Sequence, residues 1–105
     1  MSEEIYHQIG EQLAQEQGTA SSQMFGKPCL KKGKKAFAVF YEDEMVFKVG
    51  REEVEMLLHK YTGSKRFDPS KKGRPMKDWL QVPADYKDDW PSLAKQAMEF
   101  TNNNK

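Results

Sequence analysis

Ile5, Ile9 and Leu13 recur every fourth residue between polar neighbours, a spacing that predicts an amphipathic helix from about residue 3 to about residue 17. Gly18 ends it, and a short polar loop follows. Met24 to Leu30 reads as a strand whose Gly26 and Pro28 fit an edge or a bulge. Lys32-Gly33-Lys34 reads as a turn, and Ala36 to Tyr41 has the aromatic and β-branched content of a strand packed on both faces. Glu42-Asp43-Glu44 makes the next turn, before Met45, Phe47 and Val49 alternate with Val46 and Lys48 in a third strand.

Val54, Leu57, Leu58 and Tyr61 fall at i, i+3, i+4 and i+7 and predict a second helix, with Glu52, Glu53 and Glu55 near its positive end. Thr62-Gly63-Ser64 breaks it. Arg66 to Asp68 begins a short strand ahead of the turn-rich run from Pro69 to Pro75, and Asp78 to Val82 reads as a further strand stopped by Pro83. Trp90, Leu93, Ala94 and Ala97 stripe a last helix, which Asp88 or Asp89 can cap and in whose first turn Pro91 is tolerated. The expected fold is therefore α+β and two-layered, in the order α-β-β-β-α-β-β-α with an antiparallel sheet. With no repeat or linker visible, residues 1–105 are expected to form one domain, with a frayed tail at about 102–105.

Composition narrows the setting. No stretch approaches the roughly 18 consecutive apolar residues a membrane span needs. Glu3 and Glu4 stand where a secretory signal needs basic residues, so a cytoplasmic protein with no membrane partner is expected. One cysteine, Cys29, excludes an internal disulfide framework. Net charge is +1, but its distribution is uneven. Lys27, Lys31, Lys32, Lys34 and Lys35 form one basic stretch, and Lys65, Arg66, Lys71, Lys72, Arg74 and Lys77 form another.

Each candidate for chemistry has a plainer competitor. Cys29 between Lys27 and Lys31 has the cationic neighbours that activate a thiol, yet a small hydrophobe on a strand is the better reading. His7 and His59 lack ligand-spaced partners, so no metal is expected, and the Glu42-Asp43-Glu44 run reads as a solvated turn. No cofactor and no catalytic residue is expected. The functional signal is the pair of basic turns, Lys31, Lys32, Lys34 and Lys35 at one tip and Lys71, Lys72 and Arg74 at another, which could contact phosphates or a partner. Neither matches a nucleotide-cradling glycine loop. Phe25, Trp79 and Trp90 sit on periodic elements and are assigned to the core rather than to base stacking.

The segments Met24-Phe25-Gly26, Lys35-Ala36-Phe37-Ala38, Met45-Val46-Phe47-Lys48-Val49 and Gly73-Arg74-Pro75-Met76-Lys77-Asp78-Trp79 follow one another in an order that resembles the N-terminal domain of TfoX (Sxy), a bacterial competence regulator, in its short stand-alone form. The resemblance runs from about residue 24 to about residue 100. It implies a secretion-chaperone-like fold and a non-enzymatic regulatory role. The longer regulator carries a second, helical domain, and any activity residing there is not expected in this chain.

The first expectation for function is thus a regulatory interaction domain that contacts another protein or its own copy, its discriminating feature an unpaired sheet edge or an exposed apolar patch. The alternative is a weak, non-specific nucleic-acid binder using the lysine-rich turns. An enzyme ranks last, because no convergent polar site is visible.

Overall fold

The computed structural model describes residues 2–24, 26–68, 73 and 75–103, with side chains described for 3–24, 26–68, 73 and 75–102. The chain forms α1 (Ser2–Gln17), β1 (Ala20–Met24), β2 (Lys27–Lys32), β3 (Lys35–Tyr41), β4 (Glu44–Lys48), α2 (Arg51–Lys60), β5 (Lys65–Phe67), β6 (Met76–Val82), a 3-10 segment (Ala84–Asp89) and α3 (Trp90–Asn103). The strands make one six-stranded sheet in the order β1-β2-β3-β4-β6-β5. All its pairings are antiparallel. The architecture is the expected α+β, with one strand more than the sequence pattern predicted. Ala20–Met24, read as a polar loop, is a strand, and the single strand predicted from Met24 to Leu30 is the far side of a hairpin with it.

Strand alternation divides the sheet between two cores. The cross-strand row Leu30–Ala38–Phe47–Leu80 faces the helices. There it meets Ile9 and Leu13 of α1, Val54 and Leu57 of α2, and Leu93, Ala94 and Ala97 of α3, the stripes the helical periodicity marks. The next row, Cys29–Val39–Val46–Gln81, faces the other way. Its cluster with Tyr41, Phe67 and Trp79 is drawn wholly from strand residues. Tyr41 and Phe67 lie three strand positions apart, about 14 Å in a flat sheet, yet their ring centroids approach to 5.1 Å. The sheet is therefore curled, and this face is its concave side.

One extra residue makes the two-sided packing of β3 possible. Leu30 pairs with Ala38 and Lys31 with Ala36, which leaves Phe37 as a bulge. Phe37 and Ala38, adjacent in sequence, both enter the helix-side core. Hairpin geometry follows local chemistry. Gly33 takes φ 65 at the first central position of the β2–β3 turn, while Glu42 and Asp43, at φ 50 and 66, form the β3–β4 turn with positive φ at both central positions. α3 includes Asn102 and Asn103, two residues expected to fray.

Candidate interaction surfaces

The two edges of the sheet are built differently. β5 is three residues long, carries Lys65 and Arg66, and is irregular between Arg66 and Phe67. Arg66 Nη2 also lies 3.9 Å from Glu55 Oε1 of α2. Short length, charge and a bulge are the devices that discourage a second chain from pairing with an edge. β1 has none of them. Its five residues, Ala20-Ser21-Ser22-Gln23-Met24, pair with β2 without a break in register and carry no charge and no proline. The first four are exposed, so on the outer side every second residue presents an N–H and a C=O to solvent.

The ends of the sheet differ as well. The strand directions bring the β2–β3 turn, the C-terminal end of β4 and the start of β6 to one end. Lys31 and Lys32 are half-buried there, and Lys34 and Lys35 are exposed. Lys71, Lys72 and Arg74 lie outside the described residues, but their flanks do not. β5 ends and β6 begins at this same end, where the Gly73 N–H donates to Asp68 Oδ2 at 3.1 Å. At this end, beside the start of β6, lies a cleft of about 360 Å³, lined by Lys48, Arg51, Met76, Lys77, Asp78 and Trp79, among others. Lys48 and Arg51 lie outside both basic stretches of the sequence; β4–β6 pairing sets Lys48 beside Trp79, and Arg51 and Lys77 line the same cleft. The opposite end carries Glu42 and Asp43, with Glu44 accepting from Gln81 Nε2 at 2.7 Å.

Other candidates fall to the core or the surface. Cys29 is buried at 1% exposure. Burial pushes its thiol pKa up, and Lys31 opposes this only in part, so the environment is the reverse of an activating one. His7 and His59 are exposed, His7 lying 3.6 Å from Glu3. Among the described residues no group of three or more His, Cys, Asp or Glu could hold a metal. Trp79 and Trp90 are buried, which removes them as base-stacking platforms, and Phe25 lies outside the described residues. No described helix is long and apolar enough to cross a membrane. Among the described residues Met56 is the one large hydrophobic side chain exposed, so no apolar patch competes with the β1 edge.

The profile of the TfoX N-terminal domain matches residues 11–101, most of the chain and every strand of the sheet. The chain belongs to the TfoX N-terminal domain family. The match begins within α1 and ends within α3, so both the open β1 edge and the basic end lie inside the part that defines this TfoX-like domain. No curated protein shows significant similarity to the chain.

Proposed function

We propose that this TfoX N-terminal-type domain is a non-enzymatic, cytoplasmic interaction module that acts in regulation through protein contact, made by adding a strand at the open edge of β1. The observation that carries the reading is the contrast between the edges: β5 is guarded in three ways and β1 in none. A second copy of the chain is the occupant that fits. Antiparallel pairing about a two-fold axis at Ser22 sets Ser22 against Ser22, Ser21 against Gln23 and Ala20 against Met24, so no charges oppose one another. Pairing over five residues a side buries little area, which makes this a weak, concentration-dependent dimer.

Sedimentation equilibrium of the wild type, Ser22→Lys and Ser22→Glu tests it. Ser22 is exposed, so both variants should fold. The wild type should dimerise at tens to hundreds of micromolar, each variant alone should be monomeric, and an equimolar mixture of the two should dimerise again. A dimer unaffected by either variant would place the contact elsewhere and overturn the reading.

One observation favours a second reading, a weak nucleic-acid binder. The β2–β3 turn and the flanks of the 69–74 segment emerge at the same end of the sheet, as simultaneous phosphate contact by both turns requires.

A further inference from the structure

Lys48, Arg51 and Lys77 come from three different elements: the end of β4, the first turn of α2 and the start of β6. Register brings them together, because β4 and β6 pair Lys48 with Trp79. All three line the cleft of about 360 Å³ at the basic end of the sheet. Asp78 also lines it, and the four side chains sum to a charge of +2. Glu3–His7, Arg66–Glu55 and Lys95–Glu16 are ion pairs among the described residues, and none of these involves Lys48, Arg51 or Lys77. Arg51 also borders a second depression, which it shares with Gly50, Glu52, Glu53 and Phe100. Met76 and Trp79 supply an apolar wall along which long cationic stems can lie with their heads at the mouth.

We infer that this cleft is a phosphate-binding site, with Lys48, Arg51 and Lys77 as its contacts and the phosphodiester backbone of single-stranded nucleic acid as its ligand. The inference rests on the second reading above and deepens it, by placing the grip in the cleft rather than on the turns. Three cations that track a backbone release about two counterions, which gives a salt slope near −2. Affinity should therefore fall roughly fifteen- to twenty-fold between 50 and 200 mM salt.

The test is fluorescence anisotropy of labelled single-stranded oligonucleotides at both salt concentrations, together with amide chemical shifts of the same protein. The variants are Arg51→Glu/Lys77→Glu and, for the turn, Lys34→Glu/Lys35→Glu. All four positions are exposed, so loss of fold is not expected, and circular dichroism checks it. The cleft variant should lose at least ten-fold in affinity and flatten the salt dependence, and the oligonucleotide should shift the amides of Lys48, Arg51 and Lys77. Pyrophosphate in a parallel titration distinguishes the source of the phosphate: shifts at the cleft without oligonucleotide binding would keep the phosphate site but assign it to a small ligand. If the turn variant abolishes binding while the cleft variant matches the wild type, the inference is overturned and the second reading stands. No binding or shift with either probe at hundreds of micromolar overturns both.

Discussion

Gly50→Ala is the substitution whose cost can be worked most directly from the geometry. Gly50 precedes α2 with φ 95 and ψ 152, a region of backbone space open essentially to glycine alone. It cannot relax easily, because its N–H donates to the Asp78 carbonyl at 3.1 Å while its own carbonyl accepts from Val54 N–H at 2.9 Å. A Cβ there would sit 2.7 Å from Cε1 and 3.0 Å from Cζ of Phe100. The backbone contributes about 1–3 kcal/mol. Overpacking contributes about 1–3 kcal/mol, at the lower end because the Phe100 ring is half-buried and can shift. The sum is about 2–4 kcal/mol, or a fall of about 10–20 °C in melting temperature for a domain of this size. Gly18→Ala is the control: Gly18 has φ 71 but nothing within 4 Å of its Cβ position, so the cost is backbone strain of about 1 kcal/mol. Urea and thermal unfolding of both variants, and of Gly50→Ala in a Phe100→Ala background, separate the contributions. If Gly50→Ala costs no more than Gly18→Ala, neither the glycine-only conformation nor the ring contact counts as argued. An unchanged cost in the Phe100→Ala background would remove the ring contact alone.

Asp43→Gly should stabilise the domain by about 0.5–1 kcal/mol in urea unfolding, since the β3–β4 turn needs positive φ at both central positions and glycine adopts it freely. Tyr61 donates to Asp89 Oδ2 at 2.9 Å, and burial first, then that hydrogen bond, push its pKa up to about 12. An unfolded tyrosine ionises near 10. The folded state thus holds its proton longer, and the stability from this group, complete below about pH 10, is lost as pH rises toward 12. Burial raises the Tyr6 pKa as well, so alkaline unfolding curves of Tyr61→Phe should show a shallower fall rather than none. The Tyr6 hydroxyl is buried without a partner among the described residues, so Tyr6→Phe should be neutral or stabilising by up to about 1 kcal/mol in the same unfolding assay.

The helices were legible because their apolar residues repeat at helical spacing over several turns. Ile9 and Leu13, Val54 and Leu57, and Leu93, Ala94 and Ala97 are the residues they bury. β1 was not legible, because Ala20-Ser21-Ser22-Gln23 buries nothing and its strand character comes only from pairing with β2. The concave core was half legible. Trp79 was expected in the core and is buried, but on the face opposite Leu80 and Val82, and the curl that closes Tyr41 and Phe67 over it depends on pairings distant in sequence. The basic turns announced themselves as runs of lysine. Lys48 and Arg51 did not, since a cation alone in a strand or helix gains meaning only from register.

The bulge at Phe37 makes chain length adjustable at one point of an otherwise fixed ladder. Removing most residues of β3 would send everything beyond them to the wrong face. Removing Phe37 would leave Leu30 opposite Ala38 and Lys31 opposite Ala36, as they already are, and would subtract one aromatic ring from the helix-side core while every neighbour kept its facing. Position 37 is thus where an insertion or deletion can enter this sheet as a change in volume rather than a change in frame.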